Sequence, residues 1–424
     1  MKAFKILAFA ICVLFVTRVG AQSPDSIYSP NIHTARFHMY GNQLTMPVYR
    51  ISSSDQLELH FDDLDAGIKN YYYSLVLCDY NWEPVSLSPL NYLKGFTQQR
   101  IGTYRYSSIA FTRYTHYQAY LPDRNMLPTR SGNYMLKVFL DGDPNKLVFT
   151  KRLLVLEQKS SVGGQVVQPF SPQISRTHQK LLFSVNIEGL NSFSAAQQVK
   201  VVILQNNRWD NAQRDIAPTF VRGNILEYNT ENSSIFPAGK EWRWLDLRSF
   251  RLQSDRVQRA DYRKDGTDMF LKVDGDRSGQ KYSFFRDMNG MYSMETYETI
   301  NPYWQGDYAK VHFYFATPNN QPYPNTDIYV NGLLNDYKRN QPMVFNDSLG
   351  LYETSLFLKQ GFYNYEYITV NKRNGQTTPL EGNYFEAENV YTILVYYRSF
   401  TDRADQLIGI GSLLSQTGRP GISF

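Results

Sequence analysis

The six residues Asp274-Gly275-Asp276-Arg277-Ser278-Gly279 are the closest this chain comes to a metal-binding string. They put oxygen ligands at positions 1, 3 and 5, on Asp274, Asp276 and Ser278, and a glycine at 6, as the first half of a calcium loop does. The twelfth position, where a bidentate glutamate should close the cage, is Phe285, and Arg277 and Lys281 oppose a dication. A polar hairpin accounts better for the string, with calcium as the alternative. Carboxylates also gather at Asp62-Asp63-Leu64-Asp65 and at Asp141 and Asp143. A glycosidase needs two carboxyls flanking a sugar, but aspartates on hairpin turns usually bond their own backbone. The histidines are His33, His38, His60, His116, His178 and His312, no two closer than five residues. No close-spaced zinc motif exists, so any histidine site would have to be assembled in space. There is no G-x-S-x-G elbow and no glycine-rich phosphate loop. These residues argue against an enzyme and call for no cofactor.

One run is rich in recognition residues instead. Phe236–Val257, FPAGKEWRWLDLRSFRLQSDRV, sets Trp242, Trp244 and Phe250 among Lys240, Arg243, Arg248, Arg251 and Arg256. Alternation puts Trp242 and Trp244 on one strand face with Arg243 opposite, and it slips at Leu245 and Leu247, as at a bulge. The run reads as sheet core with solvated arginines. Its alternative is an exposed interaction surface using Trp242, Trp244, Arg243 and Arg248, because Trp and Arg dominate interface hot spots.

Both kinds of residue must be positioned by an exported chain. It opens with Lys2 and Lys5, an apolar run of eleven residues from Ile6 to Val16, and Val19-Gly20-Ala21. That is a secretory signal peptide, with cleavage expected between Ala21 and Gln22. No later segment is apolar for the ~18 residues a membrane helix needs. Cys12 leaves with the leader, so Cys78 has no partner for an internal disulfide and reads as an inert core thiol. The formal charge of +5 includes Lys2, Lys5 and Arg18 of the leader, and what remains is nearly balanced. That balance does not suggest a nucleic-acid partner or a polybasic membrane anchor. The chain holds 33 Tyr and 26 Phe, residue types that favour strands and half-wet surfaces.

Short alternating runs bounded by Gly, Pro, Asn and Asp recur throughout. In Gln56–Phe61, Leu57, Leu59 and Phe61 share one face. The expected class is all-β: tandem antiparallel, immunoglobulin-like β-sandwich domains after a signal peptide. The expected divisions are 1–21 signal peptide, 22–157 N-terminal sandwich, 158–303 middle β-rich domain, 304–400 C-terminal immunoglobulin-like sandwich and 401–424 tail. In the tail, Gln406–Leu414 reads as a docked or frayed terminus.

Longer stretches carry a resemblance. They include Asp55–Asp65 (DQLELHFDDLD), Tyr71–Pro84 (YYYSLVLCDYNWEP), Asn91–Arg100 (NYLKGFTQQR) and Tyr114–Leu121 (YTHYQAYL). They continue through Ser131–Asp143 (SGNYMLKVFLDGD), Arg176–Val185 (RTHQKLLFSV), Lys200–Ala212 (KVVILQNNRWDNA) and Phe236–Val257. With this wording the chain resembles the plug protein family of the type IX secretion system of Bacteroidota. The resemblance implies a periplasmic protein without catalytic residues, partnered by an outer-membrane β-barrel translocon and not itself membrane-spanning. Such a protein would close the periplasmic side of the barrel. The residues alone also allow a glycan-binding β-sandwich and, less well, a hydrolase using clustered aspartates.

Overall fold

The computed structural model describes residues 24–416 except Asn191 and Phe193. The expected signal peptide and its cleavage site at Ala21 and Gln22 lie outside the described residues. The fold is nearly all β, built from several antiparallel sheets. Helix is confined to single turns such as Ala195–Gln198 and Pro302–Gln305.

The first sandwich begins with a four-stranded antiparallel sheet in the order Ile32–Met39, Leu57–Asp63, Thr115–Leu121 and Thr103–Tyr106. Leu57, Leu59 and Phe61 point inward, as their alternation requires, and are at most 1% exposed. They pack on Tyr71, Tyr73, Leu75, Leu77, Leu136 and Val138 of the facing sheet. Cys78 is free and buried, and burial pushes its thiol up to about 12, which makes it inert.

That facing sheet extends well beyond the first sandwich. Its order runs Val199–Gln205, Val390–Tyr397, Gln406–Leu414, Leu147–Leu156, Gly132–Leu140, Tyr71–Cys78 and Gln99–Arg100. The splice is Gln406–Leu414, antiparallel to Val390–Tyr397 and parallel to Leu147–Leu156 at Leu407 and Leu156. The tail segment is therefore an internal strand. Leu407 and Ile408 are fully buried. Gly411 lies so close to Val162 that an added Cβ would sit 2.4 Å from the valine Cβ.

The cores group the chain differently from the expected divisions. One core joins Leu181, Phe183, Val185 and Leu226 to Val201, Ile203, Ile393 and Ile408. Another joins Leu245, Leu247 and Met269 to Val311, Phe313, Tyr365 and Leu380. The segment expected to form one middle domain is thus shared between two packing units, and the C-terminal strands return to the first of them. The physical cause is burial of Val390–Tyr397 on both faces, which demands strand neighbours on either side. Periodicity within one run cannot say where in the chain those neighbours lie.

Candidate functional site: a buried polar seam

The outward face of the four-stranded sheet carries Glu58, His60 and Asp62, two-residue neighbours on one strand. Arg36 and His38 lie beside them on Ile32–Met39, and His116 on Thr115–Leu121. One face of an antiparallel sheet commonly meets water. Here it is covered by the segment around Tyr292–Tyr308 and the end of strand Leu351–Lys359. His38, His60, Asp62 and His116 are all at most 3% exposed.

A continuous line of polar contacts crosses this seam. Lys359 Nζ donates to Asp62 Oδ2 at 2.5 Å, and Tyr308 Oη donates to the same oxygen at 2.6 Å. His116 Nδ1 is 2.7 Å from Asp62 Oδ1, and His60 Nδ1 is 3.1 Å from His116 Nε2. His60 Nε2 lies 3.3 Å from Glu58 Oε2, and Glu58 Oε1 lies 3.6 Å from His38 Nδ1. The Tyr303 ring covers His60 at 3.9 Å, nearly parallel. Burial raises the Asp62 carboxyl, but the Lys359 charge and the hydrogen bonds from His116 and Lys359 outweigh it and hold it below the usual carboxylate range. Burial pushes His116 down to about 4 despite Asp62.

Backbone contacts fix the cover. Gln43 exchanges hydrogen bonds with Met294, donating to its carbonyl at 3.1 Å and accepting from its N–H at 2.7 Å. The Asp307 carboxylate accepts from the N–H groups of Phe111 and Thr112 at 2.8 and 2.9 Å. A separate cleft of about 310 Å³ is lined among others by Met46, Lys151, Trp209 and Asp336. Lys151 and Asp336 already pair across it at 3.1 Å.

The residues singled out by sequence lie elsewhere. Trp242 and Arg243 are 5% and 6% exposed, so they form no open recognition surface. Trp244 is half-buried against Phe362, and Arg248 is half-buried, forked onto Asp246 and over the Tyr297 ring. Trp242 is buried as expected, but within the strand that follows the phase differs: Arg243, Leu245 and Leu247 face inward and Trp244 outward. A buried guanidinium is tolerated there because Asp274 and Glu381 take it at 2.7 and 2.8 Å.

The same contacts favour the polar-hairpin reading over calcium. Asp274 accepts from Arg243, from Arg256 at 2.5 Å and from the Tyr365 and Tyr367 hydroxyls at 2.8 and 3.1 Å, which leaves no lone pair facing a cation. Asp276 accepts from the Ser278 N–H at 2.7 Å, an ordinary Asx turn.

Spacing along the chain does not reveal the histidine seam, because its members lie on three different strands. The available signal was polar alternation, Glu58-x-His60-x-Asp62 beside Arg36-x-His38, on the back of an apolar face. Lys359, which completes the seam, had no signal of its own.

The seam's sheet belongs to a recognised unit. Residues 32–157 match the family model for the type 9 secretion system plug protein 1st domain. That stretch is similar to the first domain of type IX secretion plug proteins. The match supports the plug-family resemblance read from the sequence and ties the chain to type IX secretion. Similarity also extends past the plug domain. A crystal structure of a hypothetical protein from Parabacteroides merdae is 29% identical, with a TM-score of 0.88, over 93% of this chain and 99% of that one. No curated protein matches the chain. Among the described residues, no helix is long and apolar enough to cross a membrane.

Proposed function

We propose that the protein is a non-enzymatic periplasmic plug that closes the periplasmic side of the outer-membrane translocon barrel of the type IX secretion system. The observation that carries this reading is the plug-domain match over residues 32–157. The architecture suits the task. A body that blocks a wide pore must resist deformation, and here a single eight-stranded sheet runs through two packing units while a hydrogen-bonded seam holds the third. Closure must also be reversible, which favours an interface of scattered aromatic anchors within a polar surround over a continuous apolar seam. Large apolar residues such as Ile109, Phe111, Phe170 and Ile300 stand exposed singly or in small groups. The glycan-binding alternative loses its chosen platform, because Trp242 is buried.

The test is crosslinking in intact cells followed by purification of the tagged protein. Recovery of an outer-membrane barrel of the secretion system supports the reading. Recovery without any such barrel, with secretion both active and blocked, overturns it.

A further inference from the structure

At the centre of the seam Lys359 donates to one Asp62 oxygen, and His116 Nδ1 lies 2.7 Å from the other. The 3.1 Å contact between His116 Nε2 and His60 Nδ1 leaves His60 Nε2 on the side of Glu58. The Met39 carbonyl, 2.9 Å from His38 Nδ1, can only accept, so that nitrogen donates in their contact. Neither His38 Nε2 nor His60 Nε2 has a hydrogen-bond partner, although both are buried. His60 Nε2 stands 3.3 Å from a Glu58 carboxylate oxygen, a contact that either a proton or a cation between them would satisfy.

We propose that His38, Glu58 and His60 form a binding site for a divalent transition-metal ion of the zinc type. One ligand atom from each lies within 4.8 Å of the other two. Small side-chain movements would bring them to the ~2.0–2.2 Å that zinc takes to nitrogen and oxygen. Two imidazoles and a carboxylate select this class of ion over calcium or magnesium, which prefer all-oxygen sites. The outer contacts fit as well. The His116–Asp62 pair orients His60, the kind of partner that metal-bound histidines ordinarily have. Arg36 is the opposing charge nearby. Its guanidinium is drawn aside by the Gln43 carbonyl at 2.5 Å and by the Tyr292 ring at 4.1 Å. Bound metal would join strands Ile32–Met39 and Leu57–Asp63 and fix the His60 ring on which Tyr303 rests.

The rival occupant is a proton on His60 Nε2, giving an imidazolium–carboxylate pair. Titration of tag-free, chelator-treated protein with cobalt(II), then zinc, separates the two. The expected result is a saturable ligand-field spectrum of a nitrogen–oxygen site, without a thiolate charge-transfer band, and displaced by zinc. Glu58→Gln and His60→Gln should each weaken uptake at least tenfold. His116→Gln, a positioning change, should weaken it roughly 10–100-fold. His312→Gln, paired with Asp268 outside the seam, should leave it unchanged. Circular dichroism in chelator would show that the variants fold. Absence of a ligand-field spectrum with the unmodified protein, or an unchanged spectrum in Glu58→Gln, overturns the site.

Discussion

Lys359 and Asp62 form an ion pair at 2.5 Å in which each side chain is 1% exposed, joining positions 297 residues apart. The pair fastens the strand Leu351–Lys359 to the sheet of the plug domain. A lone buried charge is costly, whereas a neutral pair of similar volume is often tolerated. Lys359→Met should therefore destabilise by about 3–5 kcal/mol. Asp62→Leu/Lys359→Met should cost clearly less than the sum of the two single changes. Urea unfolding of the four proteins in this cycle measures the coupling, and simple additivity would show that the pair does not act as a unit.

Asp274 is the anion of a second buried cluster, facing Arg243 and Arg256. Asp274→Asn leaves both guanidinium groups without their carboxylate and should cost about 3–5 kcal/mol. Calcium at millimolar concentration should leave the Tm of the unmodified protein unchanged. A calcium-dependent rise in Tm that is lost in Asp274→Asn would restore the calcium reading.

Asp287 should give the protein a measurable pH dependence. Burial pushes its carboxyl up to about 7. The N–H groups of Asn289 and Trp242 pull it down, and the neighbouring Glu241 and Glu388 push it further up. Below the ordinary value of 3.8 both folded and unfolded chains hold the proton, so the group has no effect on stability. Between there and about 7 only the folded chain holds it, so stability falls as pH rises through this window and stays lower above it. The loss is on the order of a few kcal/mol. Subtracting the denaturant midpoints of Asp287→Asn from those of the unmodified protein across pH 4 to 8 should isolate this slope. A flat difference would contradict it.

Ile109 and Phe111 are 79% and 60% exposed, next to the edge strand Thr103–Tyr106 with its outward Tyr104 and Tyr106. Ile109→Ser/Phe111→Ser should change stability by no more than about 0.5 kcal/mol per site, as surface changes usually do. If the plug reading holds and this edge meets the barrel, the same variant should lower crosslinked barrel recovery several-fold. Undiminished recovery would remove this edge from the interface and leave the rest of the reading standing.

Much of the local structure was legible in the residues. Leu57, Leu59 and Phe61 were assigned to one inward face, and the structure puts them there, because side-chain period in a strand is fixed by the backbone. The plug-family wording was equally local. The phase of Arg243 and Trp244 was misread for a reason periodicity cannot supply. An arginine reads as outward unless its partners are known, and Asp274 and Glu381 lie 31 and 138 residues away from it.

Strand identity, the inward faces and the family likeness were determined by the sequence alone, since each depends on neighbours a few residues apart. Tertiary structure decided which strands share a core, why Gln406–Leu414 is internal, and that Glu58, His60 and Asp62 face a protein cover rather than water. Those outcomes depend on pairing across more than two hundred residues. There, backbone hydrogen bonding is indifferent to which strands meet, and only the complementarity of assembled faces selects the partner.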